Sequence, residues 1–356
     1  MNQHTLFTDV QDCYTDLVSQ LATARKEISM GYFSFEAGKW AGEISQVLQA
    51  RVKEGVHVRL LVDEFGQRFD EPRRIHRNFE IINHVRSLGV QVDVFKPASP
   101  LQISNRIHTK FAAIDNRTVF LGGSNIGDYY TTWTDTNLRV DGELGDTFHK
   151  VYDFLVGFSR HGDGNACSLN VNNLWVGNER LWLTVPKHHH GIREALMDVI
   201  CRTENSIFIR AWYFLPEDEM LGALCEQARK GVHVNVLLSH KTRVRPVDFA
   251  NYLHVHKLVC AGGNVFRYTG KYMHSKATWN NKGDILFGSA NLNTTSMRSN
   301  FESCLEINDP ALAWELRRSF HADCMTSVRQ TPDSYLSRSF ADQALTHACN
   351  FASPWL

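Results

Sequence analysis

AGEISQVLQARVKEGVHVRLLVD (41–63) and MLGALCEQARKGVHVNVLLS (220–239) carry one pattern twice. In each, apolar residues recur at helical spacing, a glycine follows (Gly55, Gly231), and the chain resumes as Gly-Val-His-Val and an apolar run (56–62, 232–238). The period changes from 3.6 to 2 at the glycine, so each stretch reads as a helix turning into a strand. Upstream of each lies another strand candidate, ISMGYFS (28–34) and SIFIRAWYF (206–214). Downstream, a glycine turn enters a third (87–95, 260–268). Hairpin-like pairs complete the parallel: RIHTKFAAID with VFLGGSN, then YMHSKATWNN with ILFGSAN. Strand–helix–strand order in both halves predicts an α/β protein, with helices on the faces of its sheets.

The repeat sets the expected organisation: one half over 1–160, a connecting segment at 161–180 that overlaps a Gly- and Asn-rich stretch (159–178), and a second half over 181–356. Duplicated halves usually face each other around a pseudo-twofold, which brings equivalent residues together. A second irregular stretch, 65–77, carries Arg73 and Arg74 and is expected as a loop at the cleft. At 356 residues the chain can bury a substantial core. Its 38 basic and 38 acidic residues balance, which argues against a protein that neutralises many phosphates of a nucleic acid. The N-terminal stretch carries Asp9, Asp12 and Asp16 where a secretion signal would be apolar, and no run is long enough to span a membrane. Eight scattered cysteines without a Cys-x-x-Cys pair read as reduced, mostly buried thiols.

The hairpins carry the chemistry. His108 and Lys110, and again His274 and Lys276, stand at positions i and i+2, so on a strand each pair shares a face. Asn125 follows Gly122-Gly123-Ser124, and Asn291 follows Gly288-Ser289-Ala290. Two imidazoles, two ammoniums and two amides suit an anionic phosphodiester, whose transition state spreads charge over its equatorial oxygens. One histidine can attack phosphorus to give a phosphohistidine while the other moves the proton. No metal or other cofactor is expected, because no Asp/Glu cluster with ligand spacing accompanies either motif. Each imidazole needs an orienting partner on its other nitrogen. Glu302, eleven residues after Asn291, and Asp135, ten after Asn125, are the candidates. A lone His-x-Lys is common, and a lone Gly-Ser-x-Asn is an ordinary turn; the whole constellation occurring twice favours function. His108 and His274, 166 positions apart, should then lie close in space. His57 and His233 read as structural or surface residues, and His188-His189-His190 as a solvated loop before a helix starting near Gly191.

HTKFAAIDNRTVFLGGSN and HSKATWNNKGDILFGSAN together resemble the doubled motif of the phospholipase D superfamily, most like bacterial cardiolipin synthases that lack transmembrane segments. The first copy matches at His108, Lys110, Asp115 and Asn125; the second matches at His274, Lys276, Ser289 and Asn291. The family's aspartate falls on Asn281, which can hydrogen-bond but lacks charge. Where the family commonly has Asp-x-Arg-Ser, this chain has Asn293-Thr294-Thr295-Ser296. The resemblance implies a phospholipase D-like fold of two similar α/β/α halves with the active site between them. It also implies phosphatidyl transfer through phosphohistidine, with phosphatidylglycerol as substrate and an alcohol or water as acceptor. Such an enzyme would be cytoplasmic and peripheral on the inner face of the cell membrane.

The rivals are a phospholipase D or another phosphodiesterase or nuclease, and a silent scaffold supported only by Asn281. A nuclease would need a basic groove with exposed aromatics. A lipid enzyme would need an apolar surface, for which 30–33, 211–214, 351–356 and the amphipathic stretch 311–329 are candidates; core packing explains most of them equally well.

Overall fold

A computed structural model describes residues 2–70, 75–97, 105–161 and 169–353. The first half runs β1 (Gln3–Phe7), α1 (Val10–Leu21), β2 (Glu27–Tyr32), α2 (Lys39–Lys53), β3 (His57–Asp63), α3 (Glu64–Phe69), α4 (Ile75–Ser87) and β4 (Gln91–Phe95). It continues with the hairpin β5 (Phe111–Ile114) and β6 (Thr118–Gly122), then β7 (Asn137–Asp141) and α5 (Gly145–His161). The second half opens with β8 (Trp175–Val176), β9 (Glu179–Val185), β10 (His189–His190), α6 (Gly191–Arg202), β11 (Ser206–Ala211) and β12 (Phe214–Leu215). There follow α7 (Asp218–Arg229), β13 (His233–Ser239), α8 (Arg245–Cys260), β14 (Asn264–Tyr268), and the hairpin β15 (Ala277–Asn280) and β16 (Asp284–Gly288). The chain ends with β17 (Leu292–Asn293), α9 (Thr294–Arg298), β18 (Glu302–Asn308), α10 (Pro310–Cys324), β19 (Ser327–Arg329), α11 (Asp333–Leu336) and α12 (Phe340–Phe351).

The two main sheets share one topology. The first is ordered β1-β7-β6-β5-β2-β3-β4; the second contains β9-β18-β16-β15-β11-β13-β14, with β10 and β19 added at its edges. Only β2-β3-β4 and β11-β13-β14 pair in parallel within them. Those strands follow helical crossovers, which parallel pairing requires. The doubled Gly-Val-His-Val explains itself at this level. Gly55 and Gly231 have φ of 86° and 90°, and a Cβ on either would meet nothing, so glycine is used there for its left-handed backbone alone. The valines that follow are buried, while His57 and His233 are exposed, as expected of surface residues.

One apolar cluster is common to both halves. Phe301, just before β18, packs against Phe95 at 5.4 Å and Phe158 at 4.8 Å between ring centroids, joining the second half to β4 and α5. Each such buried phenylalanine contributes on the order of 2–3 kcal/mol. A polar lock lies elsewhere on the seam: His4 bonds Asp309 at 3.0 Å and Glu179 at 2.8 Å.

Several expectations are corrected. Of the stretch 65–77, the described residues 65–69 and 75–77 are helical, and Asp63 caps the first of these helices by accepting from the amides of Phe65 and Gly66. Arg73, Arg74 and 162–168 lie outside the described residues. His189 and His190 are not loop but a short strand on β9. The helix drawn over 311–329 stops at Cys324; its stripe Leu312, Leu316 and Phe320 is buried, and Ser327–Arg329 pairs with β14. The described cysteines are free thiols as read, but only Cys13, Cys225 and Cys304 are buried, whereas Cys201 and Cys260 are exposed.

Candidate active site

His108-Thr109-Lys110 and His274-Ser275-Lys276 stand just ahead of β5 and β15 instead of within them. The reason is a pair of inter-half bridges. Ile107 pairs with Phe301, and Met273 pairs with Thr134. The His108 and Thr109 amides both donate to the Phe301 carbonyl at 2.9 Å, while the His274 amide donates to the Thr134 carbonyl at 2.7 Å. Each bridge leaves a histidine beside the acid that follows its partner: residue 108 beside 302, and 274 beside 135.

The orienting bonds therefore cross the seam. His108 Nδ1 lies 2.8 Å from Glu302 Oε1, and His274 Nδ1 lies 2.8 Å from Asp135 Oδ2. With Nδ1 engaged by a carboxylate, Nε2 is the nitrogen left for chemistry. Both acids are anchored from behind by serine. Ser124 Oγ donates to Asp135 at 3.1 Å, and Ser289 Oγ donates to Glu302, whose other oxygen accepts from Ser296 at 2.7 Å. The lysines donate to the carbonyls of His108 and His274 and lie buried beside Phe33 and Trp212 respectively. The same two rings flank the imidazoles, at centroid distances of 5.6 Å for Phe33–His108 and 4.0 Å for Trp212–His274.

The two imidazoles are close enough to act on each other electrostatically: His108 is one of the charges acting on His274, and both lysines act on both rings. Burial lowers His108, with Glu302 pulling the other way. Burial, then Lys276 and Lys110, hold His274 well below the ordinary imidazole range. Burial likewise brings Lys110 down to about 8 and Lys276 to about 7. Burial pushes the Asp135 carboxyl up. For Glu302 burial acts upward too, but His108, Lys110 and Ser289 override it and hold the group below its usual value. Four groups that could be cations are crowded into a desolvated space, and an anion between them would relieve the strain on all four.

The asparagines are placed differently. Asn125 accepts from the Ser34 amide at 3.3 Å and donates toward Asp70 at 3.2 Å and Tyr130 at 3.4 Å, so its amide is already engaged. Asn291 is buried, and its Oδ1 has no partner among the described residues. Asp115 and Asn281 sit away from the imidazoles, at the far ends of β5 and β15. Asp115 accepts from the amides of Arg25, Lys26 and Glu27, and Asn281 from that of Ser206 at 3.2 Å. Sequence reasoning missed Asp70 and Arg243, whose ion pair spans 3.0 Å between the halves, because Asp70 lies in a stretch read as irregular. Phe33 and Trp212 were visible only as aromatic stretches with a core or surface role.

A family model described as "Cardiolipin synthase, PLD-like domain" matches residues 17–150 and 196–324. The chain is 25% identical to cardiolipin synthase 1 of Staphylococcus aureus (strain COL), over 98% of this chain and 73% of that one. It is 26% identical to the major cardiolipin synthase ClsA of Bacillus subtilis (strain 168), over 95% of this chain and 74% of that one. Among solved structures, phosphatidylserine synthase of Haemophilus influenzae Rd KW20 superposes with a TM-score of 0.78 at 14% identity, covering 99% of this chain and 95% of that one. Polyphosphate kinase from Porphyromonas gingivalis gives 0.63 at 14% identity, covering 100% and 53%. The chain belongs to the PLD-like cardiolipin synthase family of the phospholipase D superfamily, and it is an enzyme of the phosphatidyltransferase and phosphodiesterase type.

Proposed function

Starting from that membership, we propose that the protein makes cardiolipin from phosphatidylglycerol by phosphatidyl transfer through a phosphohistidine. The crossed pairing of each imidazole with the other half's carboxylate is the observation that carries this reading. It orients both Nε2 atoms while keeping the lysines around one anionic centre. The division into halves over 1–160 and 181–356, joined by 161–180, is part of the reading, because each half is inert without the other's acid.

His108 is the proposed nucleophile. Its side chain is more accessible than that of His274, 17% against 7%, and Glu302 is the more firmly ionised acid, suited to the positive charge that grows on the attacking imidazole. Nε2 of His108 forms a bond to phosphorus as the bond from phosphorus to the glycerol oxygen breaks. His274, protonated once the anionic substrate offsets the neighbouring lysines, gives that oxygen its proton and releases glycerol. A hydroxyl of a second phosphatidylglycerol then loses its proton to His274 and attacks phosphorus, and the N–P bond breaks. Lys110, Lys276 and Asn291 hold the phosphoryl oxygens in both steps, while Asn125 braces the site through Ser34, Asp70 and Tyr130. The proposed contact with the inner face is peripheral; no helix among the described residues is long and apolar enough to cross a membrane.

The test is incubation with phosphatidylglycerol vesicles and mass spectrometry of the lipids, beside His108→Ala. Cardiolipin that vanishes in the variant supports the synthase reading. Phosphatidic acid alone makes water the acceptor, and no lipid product directs attention to soluble diesters.

A further inference from the structure

On the His274 side of the molecule lies a cavity of about 570 Å³ whose wall combines aromatic rings with a cluster of cations. Lys241, Arg243, Arg245 and Arg338 line it, against a single acid, Asp248. Arg243 is held by Asp70 at 3.0 Å, and Arg338 stands 3.6 Å from Asp342. Lys241 and Arg245 are exposed and make no ion pair with a described residue. Arg245 and Asp248 belong to the first turn of α8, whose helix dipole adds positive potential at the same place.

A second observation comes from behind the wall. Arg267 on β14 is 1% exposed, and all three of its guanidinium nitrogens lack a hydrogen-bond partner among the described residues. It stacks 3.8 Å from the centroid of Tyr252, a lining ring, and Arg338 lies 3.8 Å from the same ring. Asp248 attracts it but offers no hydrogen bond, and a buried cation so poorly paired is costly; a nearby anion is the ordinary remedy. His240, also in the lining, is held below its usual range first by burial and then by Arg267 and Lys241.

The cavity is joined to the reacting groups. Tyr272 lines it two residues before His274 and meets Trp133 at 5.6 Å, and Trp133 meets His274 at 5.2 Å. Arg243 also acts electrostatically on His274. We propose that this cavity is a second anion subsite, which binds the phosphate of the acceptor and so selects an alcohol that itself carries a phosphodiester, a second phospholipid, over water or a neutral alcohol. This rests on the reading of His274 as the group that deprotonates the acceptor. Its place on the His274 side would hold the acceptor's free hydroxyl toward that imidazole while its phosphate stays among the arginines.

The experiment gives one donor, phosphatidylglycerol, two competing acceptors, a second phosphatidylglycerol and ethanol. The Lys241→Gln/Arg245→Gln double variant should lower cardiolipin formation about 10-fold or more and leave phosphatidylethanol formation within about two-fold, since a lost charge-assisted contact is worth 1.5–3 kcal/mol. Equal loss of both products, or loss of neither, overturns the proposal. Arg267→Met adds a separate readout: relief of a poorly paired buried charge should raise Tm while cardiolipin formation falls. A fall in Tm with both products reduced alike would make Arg267 merely structural and count against the subsite. Inorganic phosphate and glycerol phosphate, added as competitors, separate the possible sources. Stronger inhibition of cardiolipin formation by glycerol phosphate supports a headgroup site, whereas phosphate that binds without inhibiting overturns it. If the wild type forms neither lipid product, the functional reading has failed. The subsite is then judged by calorimetric binding of glycerol phosphate, where about 10-fold weaker binding by the double variant supports it and unchanged binding sinks it.

Discussion

The two halves hold their histidines with the same bond but different supports. In the first, Gly123 leaves room for Asp135: a Cβ there would stand 2.3 Å from the carboxylate, so the anchoring serine sits one place later, at Ser124. In the second, the longer Glu302 reaches its histidine from one position further along, and Ser289 stands where the first half has Gly123. Behind Ile107 the first half uses the Asp63 carboxylate, to which the Ile107 amide donates at 3.0 Å; behind Met273 the second uses Ser239 at 3.3 Å. Phe33 becomes Trp212. What both keep is the Nδ1–carboxylate bond across the seam. Acid, anchor and spacing drift together, and neither half can be grafted onto the other one residue at a time.

The largest effects should follow from breaking the crossed pairs. His108→Gln is expected to cut transfer about 10,000-fold or more. In the wild type, label from phosphatidylglycerol should be trapped on His108; label on His274 would exchange the proposed roles. Glu302→Gln and Asp135→Asn should each cost about 100- to 10,000-fold, as loss of an orienting acid does in other imidazole systems. Titrating the imidazoles by NMR sharpens the comparison. Glu302→Gln should lower the pKa of His108 further and Asp135→Asn that of His274; the opposite assignment would show that the pairs do not cross.

Next comes the exchange of anchors. Gly123→Ser installs the second half's residue in the first and should push Asp135 off His274, costing about 100-fold in activity and a clear drop in Tm. Ser289→Gly removes one hydrogen bond from Glu302, and about a 10-fold loss is expected. Equal effects would mean that the anchors are interchangeable after all.

A smaller effect is the pH response. Lys276 and Lys110 lose their charge as pH rises through about 7 and about 8. The free enzyme's kcat/KM should therefore fall above neutrality, through weaker anion binding, while kcat at saturation changes less. A kcat/KM flat to pH 9 would contradict the crowded-cation picture.

The repeat was legible because core-facing valines and left-handed glycines recur at matching places, as 56–62 and 232–238 show. The acids were legible too, yet their crossing was not. Ile107 and Phe301 are apolar residues ahead of a polar one, and nothing local says that a bridge 194 positions long joins them. Asp70 was lost because α3 is only six residues long and depends on the Asp63 cap, too short a run for periodicity to register. Helix 311–329 was drawn too long because the apolar spacing persists to Cys324 and Val328, while β14 recruits Ser327–Arg329 as an edge strand.

The smallest expected effect concerns the motif position where the first half has Asp115 and the second Asn281. Asp115 holds three consecutive backbone amides and adopts φ of 52°, a left-handed turn that aspartate tolerates. Partial burial would raise its pKa, but those amides outweigh burial and hold it below the ordinary value. Asn281 holds one amide, and Gly283, with φ of 93°, takes the left-handed position in that turn instead. The aspartate thus clamps the entry of β2 to the end of β5, while the second half fixes the equivalent corner with a different turn. Asp115→Asn should cost about 1 kcal/mol of stability with little change in kcat, and Asn281→Asp should change stability by less. The sign with pH follows from the depressed pKa: the stabilisation is present above the unfolded value of about 4 and is lost as pH falls through the folded one. Wild type and Asp115→Asn should therefore differ in urea midpoint at pH 7 and converge at pH 3. A gap that persists at pH 3, or a large loss of kcat in Asp115→Asn, would give this residue a part in the chemistry and make the two halves unequal in function as well as in support.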